Sequence, residues 1–125
     1  MAGTIIADTL THSTAGSLTT DYVVNGSNKA WGMIDGTGTV AYRDSFGTSS
    51  LTDSATGIYT MTFSSAMSNA NYACPSACGG QETTSTNNLE VPNGGAPTTT
   101  AIIAEYSNGN QDCDFLSVSI LGDLA

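Results

Sequence analysis

The chain has 125 residues and a mass of 12.7 kDa, the size of one domain that buries roughly two-thirds of its unfolded surface. Hydrophobic residues make up 39% and charged residues only 10%, which excludes the charge-rich, apolar-poor profile of a disordered chain. The net charge is −9 with two basic residues in all, so the basic patch that nucleic acid demands cannot be assembled and an acidic membrane surface would repel the molecule.

Residues 1–27 read as an N-terminal arm or outer hairpin. "GTIIADTL" and "TTDYVVNG" are strand-like, and the small, polar "THSTAGSL" lies between them. The start "MAGTIIADTLTHS" has neither the basic opening nor the long apolar stretch of a signal peptide. No apolar run approaches the roughly twenty residues that span a bilayer. "NGS" at Asn25 to Ser27 fits a glycosylation sequon but reads as a turn.

From residue 28 to 125 the chain alternates between apolar and hydroxylated positions, the mark of half-buried antiparallel strands. In "KAWGMI" Trp31 and Met33 share a face. In "GIYTMTFS" Tyr59, Met61 and Phe63 do, against Thr60 and Thr62. In "TTAIIAEY" Ile102, Ala104 and Tyr106 do, and in "CDFLSVSILG" Leu116, Val118 and Ile120 oppose Ser117 and Ser119. "NGSN", "DGTG", "DSATG", "SNAN", "VPNGGAP" and "SNGNQD" supply turn chemistry between them. "TTSTNNLEVPNGGAPTTT" reads as a long exposed loop or weak hairpin around Leu89 and Val91. Helical spacing is sustained nowhere. The expectation is an all-β fold: an antiparallel sandwich, jelly-roll-like, or a small barrel, with an N-terminal β-arm.

"DGTGTVAYRDSF", Asp35 to Phe46, holds two glycines one residue apart and the sole arginine, Arg43. A phosphate loop needs a lysine and a helix start behind it. Here a strand pattern follows, so the stretch reads as a turn feeding a strand. Arg43 is expected to pair with Asp44 or to anchor a loop carbonyl. His12 is the only histidine, and nothing in its polar surroundings suggests that it is held in place. Asp112 and Asp114 flank Cys113 and read as a solvated acidic edge in preference to a calcium pair. Cys74, Cys78 and Cys113 are odd in number, and "CPSAC" lacks zinc spacing. One disulfide plus a free thiol, or three reduced thiols, is expected over a metal site with His12. No catalytic residue, cofactor or metal ligand is assigned, and no enzyme is expected.

One long stretch adds a resemblance. "NGSNKAWGMIDGTGTVAYRDSFGTSSLTDSATGIYTMTFSSAMSNANYA", Asn25 to Ala73, resembles a β-domain at the C-terminal ends of bacteriophage tail-fibre and related virion proteins, common in marine phages. The matching pieces, in order, are Lys29-Ala30-Trp31, Asp35 to Thr39, Arg43 to Phe46, Thr52-Asp53, Gly57 to Phe63, Ala66-Met67 and Asn71-Tyr72. The closing strand "FLSVSILG" is similar as well, while Cys74 to Gly80 and the loop to Thr100 look individual to this chain.

The resemblance implies a virion structural protein without enzymatic activity, made in the host cytoplasm and displayed on the phage particle. The preferred form is a receptor-binding knob of tail-fibre type. The alternative is a capsid decoration, or cement, protein stabilising the head. With about two dozen residues ahead of the domain and no shaft, a free-standing protein that docks on other virion proteins through its arm is expected. Unpaired strand edges invite self-association, and a homotrimer is implied by the habit of fibre knobs. Trp31, Tyr59, Phe63, Tyr72 and Leu116 are expected in the core or at the subunit interface. Asn87, Asn88, Asn93, Asn108, Asn110 and Gln111 are the loop residues expected to meet a partner, which would be a host surface glycan or protein.

Overall fold

Residues two apart on a strand share a face, so a strand covered on one side must alternate between buried and open positions. That signature runs through the computed structural model, which describes residues 3, 6–79, 89–90, 98–106 and 112–125. The strands are β1 (Thr9–His12), β2 (Gly16–Thr19), β3 (Asn28–Asp35), β4 (Ala41–Phe46), β5 (Thr48–Ala55), β6 (Ile58–Phe63), β7 (Ser76–Gly79), β8 (Leu89–Glu90), β9 (Ala101–Tyr106) and β10 (Phe115–Leu121). One helix, α1 (Thr20–Gly26), interrupts them. β1 and β2 form a hairpin of their own, and the other eight strands make two sheets, β4-β3-β10-β7 and β5-β6-β9-β8. Every pairing between these strands is antiparallel. The protein is all-β, and no closed barrel forms among the described residues.

The two larger sheets pack face to face. Ala30, Val118 and Ile120 from the first meet Met61 and Phe63 from the second, with Met67 closing the end. Ile34 and Leu116 meet Tyr59 and Cys113 in a second cluster. Tyr59, Leu116, Val118, Ile120 and Ile34 have no solvent exposure. The positions between them, Thr60, Thr62, Ser117 and Ser119, stay half-open on the outer faces. Tyr72 packs against the first cluster, its ring 5.6 Å from that of Phe63 and edge-on to it.

Two glycines are required by the joints. Gly47 turns the chain from β4 in one sheet to β5 in the other with φ of 67°, and a Cβ there would collide with the Lys29 carbonyl. Gly36 ends β3 under the Tyr59 ring; a Cβ would strike that side chain and come within 2.8 Å of the Cys113 carbonyl. The Gly36 amide donates to the same carbonyl at 2.8 Å. This bond ties the end of β3 to the approach of β10.

Two expectations need correction. "TTDYVVNG" is helix α1, not strand. Asp21 in its first turn complements the helix dipole, the Ser27 amide closes the C-terminus on the Val23 carbonyl, and Lys29 Nζ donates to the Val24 carbonyl. These end contacts outweigh the β preference of Tyr22, Val23 and Val24. Of the two places expected for Trp31, core or subunit interface, the core is excluded: Ala30, Gly32 and Ile34 are the buried side of β3, and Trp31 and Met33 are half-buried on the outer side. The Tyr42 ring crosses directly over Gly32, 2.7 Å from where a Cβ would sit. A small residue inward there leaves the large ones outward.

Candidate functional site

The turn after β3 is organised by Asp35. Its Oδ1 accepts from the Thr37 amide at 3.1 Å and the Thr37 hydroxyl at 2.6 Å, and its Oδ2 meets Arg43 Nη2 at 2.8 Å. The Thr37 hydroxyl, then its amide, and then the Arg43 guanidinium hold this exposed carboxyl below its ordinary value. Arg43 Nη2 also donates to the Asp114 carbonyl at 2.8 Å. The expected loop-carbonyl anchor is therefore present, but the ion-pair partner is Asp35. Asp44 is instead turned onto the Ser45 amide, 2.8 Å away.

The supposed acidic edge divides into two different roles. Asp112 Oδ1 accepts from the Gly57 amide at 2.9 Å and from the Tyr59 hydroxyl at 3.1 Å, pinning the β5–β6 turn to the approach of β10. Asp114 Oδ1 is buried and meets no donor among the described residues. Neither residue belongs to a strand. Burial raises the Tyr59 hydroxyl strongly, and the Asp112 carboxylate adds to the effect. Among the described residues no group of three or more His, Cys, Asp or Glu is placed to hold a metal ion.

His12 is held, contrary to expectation. Its Nδ1 accepts from the Ala15 amide at 3.0 Å and the Thr14 amide at 3.3 Å, closing the β1–β2 turn. Its ring serves that turn, and among the described residues no carboxylate bonds to it. Cys74 is a free thiol, pushed up to about 11 by burial, so it stays protonated and unreactive at neutral pH. The Cys113 thiol donates to the Phe115 carbonyl at 3.1 Å. The Cys78 side chain, and Asn87, Asn88, Asn93, Asn108, Asn110 and Gln111, lie outside the described residues.

Two surfaces remain. The first is the N-terminal appendage: no residue from 8 to 28 is buried, yet Leu10, Leu18, Tyr22, Val23 and Val24 are apolar and 42–69% exposed. Thr20 anchors α1 to the hairpin base through its amide and hydroxyl, which both donate to the Asp8 carbonyl at 3.0 and 3.2 Å. An open groove of about 650 Å³ runs along α1, lined by Thr19, Asp21, Tyr22, Asn25 and Gly26. Among the described residues no helix is long and apolar enough to cross a membrane.

The second is the outer face of sheet β4-β3-β10-β7. Register places Phe46 opposite Trp31 and Trp31 opposite Ser119, with Asp44, Met33, Ser117 and Ala77 forming the next row. Phe115 follows on β10. Phe46 is 59% and Phe115 38% exposed. A shallow depression of about 230 Å³ lies beside them between β7 and β10. Sequence reasoning missed Phe46 and Phe115, although period-two counting outward from the buried Leu116 would have found Phe115. No protein-family model matches the chain, and no curated protein or solved structure shows significant similarity to it.

Proposed function

We propose that this chain is a non-enzymatic structural protein of a bacteriophage virion, a homotrimeric β knob of tail-fibre or receptor-binding type displayed on the particle surface. The observation that carries the reading is the appendage. A hairpin of two four-residue strands is marginal in water by itself, and so is a helix of seven residues. Both nevertheless expose apolar side chains and contribute none to the core. Such a segment gains stability when another chain covers it, which suits a docking arm between copies and onto neighbouring virion proteins. The resemblance agrees: its matching pieces build the continuous run β3 to β6 and the Tyr72 packing against it.

Antibody raised against the purified chain and applied to intact particles tests this reading. Label at the tail is the expected result. Label over the whole head would transfer the protein to the capsid decoration role, and unlabelled particles would overturn the reading. Light scattering at micromolar concentration should return the mass of three chains, and a monomer's mass would exclude the trimer.

A further inference from the structure

Aromatic side chains on this protein are sorted by sheet face. Tyr59 and Phe63 fill the interior, and Tyr42 and Tyr72 pack against it. Trp31, Phe46 and Phe115 all lie on the outer face of sheet β4-β3-β10-β7, where water would ordinarily select polar residues. Phe46 and Trp31 sit side by side on β4 and β3, and Phe115 lies further along β10, beyond the Ser119 that faces Trp31. With strands about 4.8 Å apart and residues about 3.3 Å apart, the Phe46–Trp31 pair is separated from Phe115 by roughly 14–16 Å. Hydroxyls interleave with the rings, as Ser119 faces Trp31 and Ser117 faces Met33 across β3 and β10.

We infer that this face is a binding platform for a neutral oligosaccharide, a short pyranose chain that lays its C–H faces on the three rings and its hydroxyls against Ser117, Ser119 and the Asp44 carboxylate. The charge on this face is negative: Asp44 stands beside Met33 in the row next to Trp31 and Phe46. Arg43 is engaged with Asp35 and the Asp114 carbonyl, and Lys29 with α1 and the Ser27 hydroxyl. The guanidinium nearest the face is thus already paired, and the chain's −9 charge repels a sulfate, phosphate or carboxylate. A second copy is a poorer occupant for two reasons. Seven residues of β10 and four strands span only about 400–450 Å², against roughly 800 Å² per partner in a stable interface. Serine is also depleted at protein interfaces, whereas here it alternates with the rings. The inference rests on the surface-display reading for its biological role, while its chemistry stands on the sheet face.

Trp31 is the only tryptophan, so its fluorescence reports this face directly. The full-length chain is titrated with tetrasaccharides of neutral hexoses in several linkages, and with sulfated and sialylated counterparts. At least one neutral tetrasaccharide should shift the emission in a saturable way, while the acidic ones leave it unchanged. Phe46→Ala should weaken that binding at least about tenfold without moving the melting temperature, since the ring is exposed. Ser119→Glu, which sets a carboxylate beside Trp31, should weaken it as well. No response to any neutral sugar up to millimolar concentration overturns the inference, as does full binding by Phe46→Ala. An emission that shifts with protein concentration alone assigns the face to a second copy and overturns it too. Sugar binding without particle labelling would sink the virion reading and leave the platform standing. Labelling without sugar binding would do the reverse.

Discussion

The sandwich and the appendage are made of similar material and end in opposite states. β10 (FLSVSIL) and β2 (GSLT) each mix leucine with serine. Leu116 has no exposure and Leu18 is 42% exposed. The difference is the presence of an opposing layer. β10 alternates against a second sheet that supplies Tyr59 and Met61, whereas among the described residues the β1–β2 hairpin is accompanied by α1 and by no opposing sheet. Strand formation is local, but burial requires a partner surface, and composition alone does not reveal which strands have one.

The sharpest way to break this contrast is a matched pair of truncations. Leu116→Ala should cost about 3 kcal/mol and lower the melting temperature by about 10 °C or more, measured by circular dichroism. Leu18→Ala should change the stability by less than about 0.5 kcal/mol. Equal losses would mean that the hairpin is buried in the isolated chain.

Alkali separates the regions next. Burial raises Tyr72 from 10.0 to about 12 and Cys74 from 9.0 to about 11, and it raises Tyr59 as well. All three are neutral when protonated, so the folded state holds these protons more tightly than the unfolded chain. The stability they confer is complete below the unfolded values and is lost as the pH climbs from about 9 towards the folded ones. The melting temperature should therefore fall between about pH 9 and pH 12, and Cys74→Ala should blunt the earliest part of the fall. A flat profile would place these groups in water. The smallest effect on folding is expected from deleting residues 1–27: the sandwich should melt within about 2 °C of the full chain, while its light-scattering mass falls to that of one copy. A large drop in melting temperature would show that the appendage supports the sandwich.

The strands with the strictest alternation were legible in the sequence. Tyr59, Met61 and Phe63, and Leu116, Val118 and Ile120, point inward as their period-two spacing requires. β3 was misread because both its faces carry apolar residues, and the sizes of Trp31 and Met33 suggested the wrong side. What decides is Tyr42, which needs the room over Gly32 and arrives from another strand. α1 was misread for a related reason: the contacts that hold its ends come from Asp8 and Lys29, outside the segment itself. Asp112 is solvent-exposed as expected, but its bonds to Gly57 and Tyr59 were hidden because both lie more than fifty residues back along the chain. Each misreading involves a contact that local pattern does not encode. The aromatic face is partly a case of the same kind: Trp31 and Phe46 meet through the β3–β4 pairing, while Phe115 joins their face only when β10 inserts beside β3.

That insertion has a kinetic consequence. β10 occupies an interior place in its sheet, between β3 and β7, so the first strand of the sandwich waits for the last before its central ladder can form. A ribosome must release about ninety residues after β3 before the pairing of Trp31 with Ser119 is possible. Until then β3 is an unsatisfied edge, exposed to every other nascent copy nearby. Folding should accordingly be slow and post-translational, and crowded synthesis is when this chain is most vulnerable to aggregation.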